Sequence, residues 1–217
     1  MDMENRRKFY TGGLWSFDSL KERYEHIKWA LDNQKNLDEN EIKFIIKNGF
    51  VSKIYISEGV VNNYKPEDFG AQENLYNDIL KGKNNVLGTD VFDICKAVES
   101  RGGAYNTKGI IIEHIVPAKV YLGDVKKKHV NKRFTFAYFK KVFDAVSICL
   151  VTDEEDERLS KKRPKRNGKG DYTLVSKMPE GYEDYIVFPF ARYDPVLGAG
   201  IVLHGWKIVN GKLDKQP

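Results

Sequence analysis

Apolar residues recur at helical spacing near the beginning of the chain. Four of them lie three or four positions apart and predict a helix over residues 19–31, with a buried stripe formed by Leu20, Tyr24, Ile27 and Leu31. Asp18 is the predicted N-cap, because its carboxylate can accept hydrogen bonds from the first free N–H groups of the helix. A second apolar stripe predicts a helix over residues 38–47, ended by Asn48-Gly49.

The pattern stays mainly helical as far as residue 107. Further helices are predicted over residues 71–80 and 91–100, and the segments 62–70 and 81–88, which contain Gly and Asn, predict loops. Residues 51–56 alternate imperfectly, which predicts either a short strand or a continuation of the preceding helix. We therefore assign residues 1–107 to a mainly helical N-terminal region.

Strand patterns become frequent after Gly102-Gly103. Three isoleucines predict a buried strand over residues 110–112, and residues 118–122 either continue that strand or pair with it. Residues 146–151 predict a second buried strand. Thr152 and Glu155 then form a capping box that begins a helix over residues 153–161, because each side chain can accept from the backbone N–H of the other.

The remaining segments complete the predicted fold. Residues 134–143 are rich in aromatic side chains and predict a helix between the two strands. Short strands are predicted at 172–175 and 186–188, residues 201–203 and 206–209 are predicted to pair, and residues 212–217 are predicted to be disordered. The predicted fold class is α+β, with a helical N-terminal half and a second region, residues 108–217, containing a strand–strand–helix unit and a small β-containing tail.

Composition limits the class of protein. Hydrophobic residues make up 41% of the 217 residues, which is enough for a core, and 31% are charged. No apolar run approaches the ~20 residues that a membrane span requires, and no apolar stretch of the signal-peptide kind follows the start. We expect a cytoplasmic protein without a membrane partner. The two cysteines form no CxxC pair, which excludes a zinc site of the four-cysteine type.

The net charge of +5 is mild, but the positive residues are clustered. One cluster follows the first strand and consists of Lys126, Lys127 and Lys128 with His129, Lys132 and Arg133. The other follows the acidic helix and consists of Lys161, Lys162 and Arg163, followed by Lys165, Arg166 and Lys169. A nucleic-acid phosphate backbone is a common partner of such clusters, although a solvated loop has the same composition. Arg192 is predicted either to clamp a phosphate or to form an ordinary surface ion pair.

The first buried strand ends in an acid and an imidazole. Glu113, together with Asp156 or Asp153, offers carboxylate ligands for one divalent cation, and oxygen ligands favour Mg²⁺ or Mn²⁺ over zinc. His114 is a candidate general base, but neighbouring side chains on a strand point to opposite faces, so this role requires a kink before Pro117. The structural alternatives are a Glu113–lysine ion pair and a half-buried, hydrogen-bonded histidine.

These residues also carry a resemblance to a known family. Glu113-His114-Ile115-Val116-Pro117 resembles the opening of the HNH nuclease motif, and residues 150–159 resemble the closing strand and helix of its ββα-metal unit. The resemblance is to divergent restriction and phage members. It implies that His114 is the general base, that Glu113 and Asp156 bind the metal, and that Asp144 orients the base. An aspartate replaces the usual final histidine or asparagine, and the halves are farther apart than is usual.

Three functions follow from these observations. The first is a metal-dependent endonuclease that hydrolyses phosphodiester bonds, with DNA favoured over RNA by the family resemblance. The second is a nucleic-acid-binding protein without catalysis. The third is a phage or defence interaction protein that carries a degenerate copy of the fold and docks a protein partner through its N-terminal helices.

Overall fold

The structure is a computed structural model that describes residues 19–37, 39, 42, 45–46, 49–83, 109–160, 162–164, 171–173 and 177–215. In these ranges the protein is α+β. Its helices are α1 Leu20–Asp32, α2 Glu58–Asn63, a 3₁₀ helix Pro66–Gln72, α3 Glu73–Leu80, α4 Ala118–Val130, α5 Phe136–Ala145 and α6 Asp153–Ser160. Its strands are β1 Ile54–Ile56, β2 Ile110–His114, β3 Ile148–Thr152, β4 Lys162–Pro164, β5 Asp171–Thr173, β6 Trp206–Val209 and β7 Lys212–Lys215.

A mixed sheet of three strands lies at the centre, in the order β1–β3–β2. β1 runs parallel to β3, and β2 runs antiparallel to it with Glu113 opposite Cys149 and His114 opposite Ile148. The sheet therefore takes one strand from the region before residue 107 and two from the region after it.

Side chains alternate between the two faces of this sheet, as the pleat of a strand requires. On one face, Ile54, Ile148 and Leu150 pack in an apolar cluster with side chains of α2 and α3. On the other face, Cys149 and Val151 pack in a cluster with side chains of α6 and of the C-terminal residues 190–208. Glu113 is in register with Cys149, which explains why the C-terminal segment reaches its carboxylate.

Several predicted elements are confirmed, with small shifts at their ends. The helix predicted over 19–31 is α1, but its N-cap is Ser19, whose hydroxyl accepts from the Glu22 N–H at 3.2 Å. The capping box before α6 is confirmed, since Thr152 N–H donates to Glu155 Oε2 at 2.9 Å and Glu155 N–H donates to Thr152 Oγ1 at 3.3 Å. β1, β2, β3 and α5 also lie within one to three residues of their predicted positions.

The prediction of a strand over residues 118–122 is wrong, because α4 begins at Ala118. Proline fits the beginning of a helix, where its missing N–H is not needed, and Pro117 stands at the N-cap of α4. Tyr121 and Val125 lie one helical turn apart and both are buried. The helical spacing of buried residues extends to Val125, beyond the end of the predicted strand at residue 122.

The C-terminal tail also differs from its prediction. Residues 186–188 form a turn and irregular structure rather than a strand. Residues 206–209 pair with 212–215 as the hairpin β6–β7, so 212–215 is ordered strand. Leu203 instead forms a bridge with Ser57, beside β1. The loop predicted at 62–70 contains the end of α2 and most of the 3₁₀ helix, while the predicted helix over 91–100 lies outside the described residues.

None of the described helices combines the length and apolar character needed to cross a bilayer.

A large apolar cluster joins α1, α4, α5 and residues 178–191, with Phe50, Tyr121 and Phe139 fully buried inside it. Ring centroids in this cluster lie 5.2 Å apart for Phe50–Phe139 and 6.0 Å for Phe50–Tyr121. This packing fixes the positions of α4 and α5 relative to each other.

Candidate functional site

Glu113 and His114 point to opposite sides of β2, as neighbours on a strand do. The carboxylate of Glu113 is 19% exposed and accepts a hydrogen bond from Arg192, with 2.8 Å between Oε1 and Nη2. This ion pair resembles the structural alternative predicted for Glu113, with an arginine in place of the lysine. It is charge-assisted and partly shielded from water, which strengthens it relative to a surface pair.

His114 is 7% exposed and lies against the start of α4. Its ring is stacked with that of Tyr121, with centroids 6.3 Å apart and an interplanar angle of 27°. Tyr121 is fully buried, and burial raises the pKa of its hydroxyl far above the ordinary value, with a smaller contribution from the charge of Glu113. The imidazole thus lies on the side of the strand away from the Glu113 carboxylate, in a largely apolar environment.

Arg192 connects the C-terminal segment to the end of β2. Its side chain has no exposed surface, and Nη1 donates to the carbonyl oxygens of His114 and Ile115. The loop that carries Arg192 is held tightly, because a Cβ at Gly198 would lie 2.0 Å from the Arg192 carbonyl oxygen. Arg192 was predicted either to clamp a phosphate or to form an ordinary surface ion pair. Its guanidinium does form an ion pair, but the pair is buried rather than on the surface.

Asp156 lies in the first turn of α6 with its side chain partly buried. Burial raises the pKa of its carboxyl, the positive charge of Arg192 lowers it, and the charges of Asp153 and Glu157 raise it further. Arg192 therefore acts on both Glu113 and Asp156, the two residues that the resemblance implies as metal ligands. The structure brings the two carboxyl groups into the field of one guanidinium.

The Glu113 carboxylate of the predicted metal site already has a cationic partner in Arg192. The described residues contain no group of three or more His, Cys, Asp or Glu side chains that could hold one. The guanidinium of Arg192 already neutralises Glu113 at 2.8 Å, and a second cation placed there would be repelled by it. Binding of Mg²⁺ or Mn²⁺ by Glu113 and Asp156 stays a prediction.

Asp144, the predicted orienting residue, lies in the last turn of α5 with an exposed side chain. Among the contacts of the described residues, none connects Asp144 to His114.

Glu155, the neighbour of Asp156, has a structural role. It caps α6 and accepts a hydrogen bond from the Ser57 hydroxyl, which itself caps α2.

The first basic cluster surrounds the turn between α4 and α5. Two members of this cluster make intramolecular contacts: Lys128 Nζ lies 5.4 Å from the centre of the Tyr138 ring, and His129 Nε2 lies 3.3 Å from an Asp32 carboxylate oxygen. Within the described part of the chain, no ion pair is recorded for the other four cations, which are Lys126, Lys127, Lys132 and Arg133. Of the second cluster, Lys162 and Arg163 lie in β4, and Lys161, Lys165, Arg166 and Lys169 lie outside the described residues.

His204 was not predicted as a functional residue, and the fold gives it a carboxylate partner. Its Nδ1 lies 2.9 Å from Glu58 Oε1, and the side chain is 34% exposed. This imidazole lies within hydrogen-bonding distance of a carboxylate and is accessible to water, whereas His114 is only 7% exposed. The residues are 146 positions apart, so no local sequence signal connects them.

A cleft of about 410 Å³ opens beside the N-terminus of α6. Its lining is polar and includes Asn63, Tyr64, Gly109, Asp153 and Glu154. Gly109 has a left-handed φ of 79°, and a Cβ there would lie 2.6 Å from the Tyr64 hydroxyl oxygen. Glycine is therefore required where β2 begins.

Comparisons with protein families, with characterised proteins and with solved structures gave no match for this chain.

Proposed function

We propose that this protein binds nucleic acid through the α4–α5 basic surface, which consists of Lys126, Lys127, Lys128, Lys132 and Arg133. The observation that supports this most directly is the conformation of Lys132. Its φ of 54° lies in the left-handed region, where a residue with a side chain pays a steric cost that glycine does not. A cation therefore occupies a position that glycine would fill at lower cost.

The turn that carries these cations is a Schellman motif. The Arg133 N–H donates to the Lys128 carbonyl at 2.8 Å, and the Lys132 N–H donates to the His129 carbonyl at 2.9 Å. These are the two hydrogen bonds that end a helix when the next residue is left-handed. Because the backbone is held in this way, the cations project from an ordered turn.

The positive charge of the α4–α5 basic surface indicates the class of its ligand. Lys127, Lys132 and Arg133 are exposed, and Lys126 is partly exposed. No acidic residue lies in the first turn of α5, which follows directly. Such a group of cations favours a polyanion, and each phosphate that it neutralises releases counterions and makes binding dependent on salt.

Replacing the two cations at the turn tests the proposal. In Lys132→Gly/Arg133→Gln we expect at least about tenfold weaker binding to a fluorescent DNA duplex, and a smaller salt slope by about two, one for each lost phosphate contact. Lys132→Gly alone should leave the free energy of unfolding unchanged or raise it by up to about 1 kcal/mol, because glycine relieves the left-handed strain. Fluorescence anisotropy at several salt concentrations and chemical denaturation measure the two effects.

The matched control is Lys65→Gln/Lys207→Gln, which removes two exposed lysines elsewhere and the same net charge. Equal weakening in both double variants would mean that total charge, and not the α4–α5 basic surface, governs binding. A parent protein that binds no nucleic acid at low salt would contradict the proposed function itself.

A second candidate function is phosphodiester hydrolysis at the end of β2. It is favoured by the order of β2, β3 and α6, an antiparallel strand pair followed directly by a helix that packs on both strands. Glu113 and Asp156 lie on this unit, and the raised pKa of Asp156 suits a carboxyl that exchanges protons. His114 is the predicted base, and it would have to leave its apolar contacts to reach a substrate.

Cleavage of plasmid DNA, single-stranded DNA and structured RNA tests this second function. If the end of β2 is catalytic, His114→Ala should lower the rate by about 100-fold or more, the usual size of a general-base contribution, while circular dichroism stays unchanged. The control is His204→Ala, which removes a different histidine. No cleavage by the parent with Mg²⁺, with Mn²⁺ or with EDTA would exclude the function.

A further inference from the structure

Two exposed apolar side chains flank the α4–α5 basic surface. Val130, at the end of α4, is among the most exposed large apolar residues, and Phe136, which begins α5, has 37% of its surface exposed. Between them lie Lys132 and Arg133. A surface that contacts only phosphates gains nothing from an exposed aromatic ring.

The ring of Phe136 is held in place from behind. It is stacked with Phe139, with centroids 6.1 Å apart and an interplanar angle of 19°, and it meets Tyr24 edge-on at 5.6 Å. The Thr135 hydroxyl caps α5 by accepting from the Tyr138 N–H, which fixes the turn just before the ring. The aromatic surface that remains open is therefore rigid, and little conformational entropy is lost when a ligand packs on it.

We infer that the ligand of the α4–α5 basic surface is single-stranded nucleic acid, with an unpaired base stacked on Phe136 and the backbone phosphates on Lys132 and Arg133. This inference rests on the proposed nucleic-acid binding and specifies its substrate class. Base–aromatic stacking combined with a cationic path for the backbone is the usual means of binding single strands without sequence preference. A duplex presents phosphates to the same cations, but its bases are paired and unavailable to the ring.

The test compares a fluorescent oligothymidylate of about 20 nucleotides, long enough to cover a typical site, with a duplex of the same length. We expect the parent to bind the single strand more tightly. Phe136→Leu keeps the apolar contacts with Phe139 and Tyr24 but removes the aromatic face, and should weaken single-strand binding about five- to tenfold. Its duplex affinity should change by less than about twofold, because the phosphate contacts are unaltered.

Phe136→Tyr, which retains an aromatic face, should bind the single strand like the parent. Val196→Ala is the control for loss of an exposed apolar side chain, since Val196 is 86% exposed and lies in a different segment. The inference is overturned if Phe136→Leu binds single strands like the parent, or if the parent prefers the duplex. In both cases the proposed binding through Lys132 and Arg133 survives, whereas failure of the parent to bind either ligand removes both proposals.

Discussion

Arg192→Met should destabilise the protein by about 3–5 kcal/mol, the usual cost of removing one partner of a buried ion pair. Methionine preserves most of the side-chain volume, so the loss comes from polar groups. The substitution removes the cation that lies 2.8 Å from the Glu113 carboxylate, and the donor to the carbonyl oxygens of His114 and Ile115. Urea denaturation measures the effect as a lower midpoint at an unchanged slope.

Arg158→Met is the matched control. Arg158 also donates to backbone carbonyls, those of Ala199 and Gly200, but its side chain is substantially exposed, so we expect a loss of about 1 kcal/mol. Glu113→Gln combined with Arg192→Met should be less destabilised than the sum of the single variants, because no uncompensated charge remains. A simple sum would mean that the ion pair contributes nothing.

The same experiment distinguishes the guanidinium from a metal ion as the partner of Glu113. If Arg192 neutralises the carboxylate, EDTA and Mn²⁺ should leave the midpoint of the parent unchanged. A rise in the midpoint with Mn²⁺ that disappears in Glu113→Gln would instead restore Glu113 as a metal ligand, because a ligand stabilises only the state that binds it.

Glu155→Ala should lower the free energy of unfolding by about 2–4 kcal/mol, the sum of a lost cap and buried polar groups left without partners. The Glu155 carboxylate is 6% exposed and accepts from the Thr152 N–H at 2.9 Å and from the Ser57 hydroxyl. A Cβ on Gly59 would lie 2.8 Å from the same carboxylate, so α2 and α6 meet at this residue. The measurement is again chemical denaturation.

Glu154→Ala is the control, since Glu154 is its exposed neighbour in the same first turn of α6. It contributes only through the helix dipole, and we expect a loss under about 1 kcal/mol. Similar losses for the two variants would show that position in the turn, rather than the buried contacts of Glu155, accounts for the stability.

The site at the end of β2 was predictable only in part. The run of isoleucines correctly placed Glu113 and His114 on a strand that is followed, after β3, by a capped helix bearing Asp156. The partner of Glu113 was not predictable, because Arg192 is 79 residues away and no local sequence pattern connects the two. The hairpin β6–β7 was not predicted from the sequence, although Asn210-Gly211 lies between its strands with φ values of 52° and 74°. This dipeptide is a strong local signal for a two-residue turn.

Local sequence determined the elements whose hydrogen bonds are local. The stripe of α1, the capping box of α6 and the cluster of cations at the α4–α5 turn follow from residues within a few positions of one another. Tertiary structure alone decided the pairing of Arg192 with Glu113 and of His204 with Glu58, because the sheet and the C-terminal segment bring distant residues together. Burial then set the chemistry of these groups, since it depends on what packs against a side chain and not on its neighbours in the chain.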